Sequence, residues 1–401
     1  MERIGAIGNK VLSYLRRLAG LFGRAAPIRI AILDDLFPHP ISGFRFEEFC
    51  SYLDEMPNVS IYTNGAALSL VNEARPIEAI IAEHVAAHPC HFGRILALQP
   101  DQFPQADAYY AIFLNNIVQY VEAIERTQKP FTFTLYPGGG FGADDKVSDD
   151  KIRRVCGSSS FQSVIVTQPN TRDYLLKVHA VPKPKIHYLQ GGMVPRAAFV
   201  APKHRRHFGI DKASLDIGFV ANRYTPKGED KGYDLFVETA DALTRQGVNA
   251  RYHVVGPWDA AIIPLGNLAA QFEFHGFLMT ERLRELGQIL DLVLSPNRPG
   301  KLAKGAFDGF PTGSCVEVGL QEAAIFCADV LNLNTEFRDG IDLVLVEPNV
   351  DDIILRLLPI IHDPGALARI GRNGRKRLSQ IFGRERQMPP RLAILRNMKV
   401  R

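Results

Sequence analysis

Cysteine is scarce. Five stand among 401 residues, Cys50, Cys90, Cys156, Cys315 and Cys327, an odd number with no CxxC spacing. That argues against a disulfide framework and for reduced thiols in a cytosolic protein. No run of about 18 apolar residues occurs, so no transmembrane helix is expected. Repeats, low-complexity tracts and coiled-coil heptads are also missing. The glycine-rich run Gly138-Gly139-Gly140-Phe141-Gly142 is not GxGxxG and no GKS/T follows it, which excludes a P-loop. The segment Glu83–His91 places His84 and His88 four residues apart, but Pro89 ends the helix and no HExxH carboxylate lies between them. These histidines are read as surface groups, and no metal is expected. The acid pairs Asp144-Asp145 and Asp149-Asp150 fall in a loop and a helix start, not at a DxD-like metal position.

What is present is a globular composition, 46% hydrophobic and 22% charged, long enough for two or three domains with full cores. The net charge of +4 hides an asymmetry: residues 1–24 net +4, residues 369–401 net +10, and the body between is acidic. In the first stretch Ile4, Ile7, Val11, Leu12, Leu15, Leu18 and Phe22 recur at helical spacing. Arg16-Arg17 interrupt the apolar part, so a signal peptide is not expected. Such a helix can lie on an anionic membrane, each surface cation adding ~1 kcal/mol, or pack on the protein itself. The basic tail lacks interleaved aromatics apart from Phe382, so no nucleic acid is expected as a partner.

Along the chain, strand, loop and helix alternate. Ile28–Leu33, Val59–Tyr62, Ala108–Leu114, Phe131–Leu135, Ser163–Thr167 and Lys185–Leu189 read as strands, with helices between. Residues 196–212 are rich in Pro, His, Lys and Arg and read as a linker. A second series starts at Leu215–Ala221 and continues through Arg251–Gly256, Asp291–Leu294 and Asp342–Val346. This is the pattern of two βαβ sheets. Gly43 falls after the first strand's loop, where ligands meet strand carboxyl ends. Gly138, Gly139 and Gly140 allow close backbone approach to a ligand.

Phe307-Asp308-Gly309-Phe310-Pro311-Thr312-Gly313-Ser314-Cys315-Val316-Glu317 sits between the strand at 291–294 and a segment, 318–324, that reads as helix. Thr312 or Ser314 can cap that helix, whose free first-turn amides and dipole suit an anion. Glu317, one turn in, can take two hydroxyls of a ribose. A phosphate cradle beside such a carboxylate suggests a nucleotide-sugar pocket.

The stretch resembles the acidic pair of retaining GT-B glycosyltransferases of group one, the family-four-like class, whose usual pattern is Glu-Gly-Phe-Gly, four residues, then Glu-Ala. Here the first acid is Asp308, and Glu317 stands one residue further on. Asn222-Arg223 through Lys231-Gly232-Tyr233-Asp234 resembles the family's basic segment, with Lys227-Gly228 as a competing match. The resemblance implies an α/β GT-B fold with two Rossmann-like domains across a cleft, an acceptor domain at 25–195, a nucleotide-sugar domain at 213–382, and a basic tail at 383–401 crossing back; the basic amphipathic helix at 1–24 lies outside it, and the linker at 196–212 is read from composition. It implies Arg223 and Lys231 on the phosphates, Asp308 on the sugar, and Glu317, Gly313, Ser314, Thr312, Phe277 and Gly43 around the donor. Gly138–Gly140 would face the acceptor, without the histidine that the family often carries there.

The expected activity is hexosyl transfer from a nucleotide-diphosphate sugar to an acceptor hydroxyl, with retention, in cell-envelope or surface polysaccharide synthesis. No cofactor beyond the donor is expected. The partners are a nucleotide sugar, a glycan or lipid-linked acceptor and an anionic membrane on the cytoplasmic face. Two alternatives stay open: a non-catalytic GT-B relative that binds a nucleotide sugar or a partner, and a sugar-nucleotide epimerase.

Overall fold

The computed structural model describes residues 28–399 except 72, 100 and 204. The amphipathic stretch 1–24 lies outside them. Two parallel sheets make up the molecule. The first has β1 (Ile30–Asp34), β2 (Val59–Thr63), β3 (Ile95–Ala97), β4 (Ala108–Ile112), β5 (Phe131–Leu135), β6 (Phe161–Val166) and β7 (Ile186–Tyr188) in the order 3-2-1-4-5-6-7. The second has β8 (Leu215–Val220), β9 (Ala250–Val255), β10 (Phe272–Phe274), β11 (Leu292–Ser295), β12 (Ala324–Ala328) and β13 (Val344–Val346) in the order 10-9-8-11-12-13. β1, β4 and β5 are buried at every position, as strands covered on both faces must be, which explains their unbroken apolar runs. Each sheet reverses its order beside its first strand. The loops after β1 and β4, and those after β8 and β11, therefore open at the switch points where ligands bind.

The helices that matter for the site are α1 (Gly43–Glu55), α2 (Ile77–Ala87), α3 (Tyr233–Arg245), α4 (Thr280–Gly287), α5 (Gly313–Gly319), α6 (Ala366–Phe382) and α7 (Arg384–Arg396). The basic tail is mostly α7. Its Met388, Leu392 and Leu395 share a buried cluster with Phe49, Tyr52 and Leu53 of α1, so the last helix packs into the first domain. Arg391 is fully buried there, 3.9 Å from Glu48, whose carboxylate also accepts from the hydroxyls of Tyr52, Tyr110 and Tyr136 at 3.0, 2.6 and 2.8 Å.

Two expectations need correction. The helix read over 318–324 stops at Gly319, and β12 starts at Ala324. A Cβ on Gly319 would lie 2.6 Å from Ile325 and 2.7 Å from Leu378, so the helix ends jammed against the next strand and α6. The histidines after α1 are not surface groups either: His84 and His91 are buried, with 6% and 1% of their surface exposed.

Candidate functional site

A cavity of about 410 Å³ lies between the two sheets' carboxyl ends. Phe44 at the start of α1, Phe113 after β4, and Pro137, Gly138 and Gly139 after β5 form one wall. Tyr224, Lys231, Asn297, Asp308 and Thr312 stand on the other. The 307–311 loop is held to the first domain: Gln168 Oε1 accepts from the Phe310 amide at 3.4 Å, and the Phe141 and Phe307 rings meet edge-on at 5.7 Å. The Gly305 carbonyl accepts from the Ala143 amide at 3.0 Å.

Lys231 and Asp308 are the charged centre. Gly232 follows Lys231 with φ +74°, and a Cβ there would come within 2.4 Å of the Pro296 carbonyl oxygen. Only glycine lets the loop after β8 press so closely on the loop after β11. Lys231 Nζ then donates to both oxygens of Asp308, at 2.6 and 2.7 Å. Asn297 Nδ2 donates to Asp308 at 2.5 Å, and the Tyr224 ring lies 5.2 Å from Lys231 Nζ. One cation and one carboxylate thus neutralise each other at the cavity wall. A phosphate could draw off the lysine and release the acid for sugar hydroxyls.

The remaining expected residues divide. Thr312 lines the cavity as the residue before α5, but its side chain makes no capping bond to the helix. Ser314 does not cap either: its hydroxyl donates to the Val220 carbonyl at 2.8 Å, tying α5 to the end of β8. Gly313 is exposed, and a Cβ there would meet only open space. The expected common hollow does not include Arg223 or Glu317. Arg223 is exposed, and its guanidinium donates to the Pro257 and Pro226 carbonyls at 3.3 and 3.2 Å. Those two carbonyls hold it away from the cavity lining. Glu317 has its Oε2 buried without a partner, and burial pushes its carboxyl up to about 7 against a hydrogen bond from Thr280. The extra residue in the spacing turns it toward α4 rather than the cavity. Gly43 stands on that side too: a Cβ on it would lie 2.9 Å from Pro195 and 3.7 Å from Thr280 Oγ1. Phe277 is 54% exposed and outside the cavity lining. Gly140 lies outside the lining too, where it supports the turn that carries Gly138 and Gly139.

Sequence reasoning assigned no role to Asn297, Arg298, Tyr224 or Phe113. Asn297 and Arg298 follow directly on β11, and that place at a switch point was the available signal. Arg298 donates to both oxygens of Asp234 at 2.6 Å and to the Glu229 carbonyl at 2.7 Å, so it braces the Lys231 loop. Phe113 carries φ +71°, unusual for a bulky side chain, and no local sequence cue marks it.

Residues 200–377 match the family described as Glycosyl transferases group 1. No curated protein matches the chain in sequence. Among solved structures, HepE from Anabaena, in complex with UDP and glucose, is 14% identical with a TM-score of 0.63, over 88% of this chain and 95% of that one. A glycosyltransferase from Rickettsia africae is 13% identical with a TM-score of 0.63, over 93% and 99%. TarM is 16% identical with a TM-score of 0.56 over 72% of this chain, and the match spans about half, 54%, of TarM's length. At these identities the likeness establishes the fold, two parallel α/β domains in the GT-B arrangement.

Proposed function

We propose, from the match of residues 200–377 to the glycosyl transferases group 1 and from the GT-B frame, that the chain moves a sugar from a nucleoside-diphosphate sugar to an acceptor hydroxyl with retention of configuration. The observation that carries the reading is the Lys231–Asp308 pair at the wall of an interdomain cavity. The leaving group is a diphosphate, so negative charge builds on phosphate in the transition state. Lys231, together with the open amide tip of α5 at Gly313, would meet that charge. Asp308, freed of its lysine, would accept from the sugar's hydroxyls, with Asn297 still holding it. Arg223 would exchange its two carbonyl acceptors for phosphate oxygens. Glu317 would take the ribose hydroxyls from the α4 side. Phe44, Gly138 and Gly139 would face the acceptor. A UDP-sugar is the first donor to try, because HepE is described with UDP and glucose. The acceptor class that suits the chain's basic ends is a lipid-linked or anionic envelope glycan at the cytoplasmic face of a membrane. Among the described residues no helix is long and apolar enough to cross a membrane.

A second reading, a relative that binds a nucleotide sugar without transferring it, draws support from the outward turn of Arg223. Turnover separates the two. A thermal-shift panel of nucleoside diphosphates and nucleotide sugars identifies the donor, and mass spectrometry then follows release of nucleoside diphosphate and growth of the acceptor. Lys231→Ala and Asp308→Asn should each lower transfer by about 10²–10³-fold with little change in melting temperature. Unchanged turnover in both would remove this site from the chemistry, and donor binding without any release would leave the binder.

A further inference from the structure

A second group of reactive side chains lies in the first domain, none of them lining the cavity. Cys50 of α1, His84 of α2 and His91 of the short turn Pro89–His91 are buried, 8%, 6% and 1% exposed. One sulfur and two ring nitrogens from these three elements lie within 4.8 Å of one another. His84 Nε2 and His91 Nδ1 are 3.0 Å apart. Two nitrogens on one tetrahedral zinc ion, each about 2.0–2.1 Å from the metal, stand about 3.3 Å apart, so little movement is needed. The outer nitrogen of His91 lies 3.0 Å from Asp54 Oδ1, and Arg196 holds the other oxygen of Asp54 at 3.0 Å. A carboxylate behind a histidine sets its tautomer and points its inner lone pair at a metal. His88 stacks on His84 at 4.4 Å and bonds its carbonyl at 3.1 Å, fixing that ring in place.

We propose that Cys50, His84 and His91 bind a zinc ion that ties α1 to α2 and the turn after it. A thiolate with two neutral imidazoles is a donor set for zinc; magnesium and calcium call for oxygen ligands. With three protein donors, a water completes the tetrahedral set. Binding replaces the Cys50 S–H bond with a Zn–S bond and releases one proton. The ion takes no part in sugar transfer. It fixes the helix whose second residue, Phe44, lines the cavity.

The test counts metal. The full chain, dialysed and analysed by inductively coupled plasma mass spectrometry, should hold about one zinc. Cys50→Ser and His91→Gln should each lose it, while Cys327→Ser, a buried thiol outside the group, should keep it. Reconstitution with Co(II) should give tetrahedral d–d bands and a thiolate-to-metal charge-transfer band that Cys50→Ser abolishes. Removing zinc with a chelator should lower the melting temperature by several degrees. If the variants fail to fold, the wild-type zinc count and the cobalt spectrum decide alone. A wild-type chain that takes up no zinc from added Zn(II), or variants that bind as much as wild type, would overturn the proposal.

Discussion

Glu317 is the residue at which the donor reading and the energetics meet. Its ordinary value of 4.5 rises to about 7, chiefly because burial disfavours the charged form. The unfolded chain therefore ionises this group before the folded one does. Stability is unaffected below pH 4.5, falls as pH rises from 4.5 to 7, and carries the full cost above 7, on the order of 3 kcal/mol. Glu317→Gln should leave the urea midpoint unchanged near pH 4 and raise it at pH 8; equal midpoints at pH 8 would contradict the buried carboxyl with its unpartnered Oε2. Ribose hydroxyls favour the ionised form, so nucleotide binding at pH 6 should release a proton. Calorimetric heats would then differ between buffers of different ionisation enthalpy, and identical heats would detach Glu317 from the nucleotide. Lys231 and Asp308 were legible in the sequence because each stands at a strand-to-helix loop with a distinctive pattern. Their direct bond was not, since 77 residues separate them and only folding joins them. Asn297 had only its place after β11 as a cue, and the meeting of His91 with Cys50 of α1 had none.

At the scale of elements, the turn after β5 offers a graded test. Gly138, Gly139 and Gly140 all have positive φ, +76°, +55° and +92°, but their surroundings differ. A Cβ on Gly138 meets nothing, whereas one on Gly139 would lie 2.2 Å from the Phe113 ring and one on Gly140 2.0 Å from the Asn115 side chain. Gly138→Ala should cost only the backbone term, about 1–2 kcal/mol, and Gly139→Ala and Gly140→Ala distinctly more. Equal denaturation midpoints for all three would show that the turn relaxes freely. The strands were mostly legible, since a doubly covered parallel sheet writes itself as short apolar runs. The exceptions are informative. Only four residues separate β12, Ala324–Ala328, from the end of α5, and its short apolar run does not by itself distinguish helix from strand. β3 has three residues, too few for alternation to show.

At the scale of the whole molecule, the second domain is joined to the first by two passages, the segment around 196–212 and the step at Gly383 into α7. Arg391 enters the first domain's interior by the second passage and meets Glu48. Arg391→Met should strand that carboxylate and destabilise the protein by about 3–5 kcal/mol, read as a lower urea midpoint; Glu48→Gln in the same chain should restore much of it. A single variant as stable as wild type would mean that the three tyrosine hydroxyls suffice for Glu48. The two-sheet plan was legible from strand spacing. The return of the basic tail to the first domain was implied by the family resemblance; the burial of Arg391 within it was not legible, because its carboxylate partner stands far away in the chain. During synthesis, Glu48 leaves the ribosome more than three hundred residues ahead of the guanidinium that neutralises it. The half made first is therefore completed last, and a nascent chain arrested before α7 should hold its leading half in a looser, protease-sensitive state.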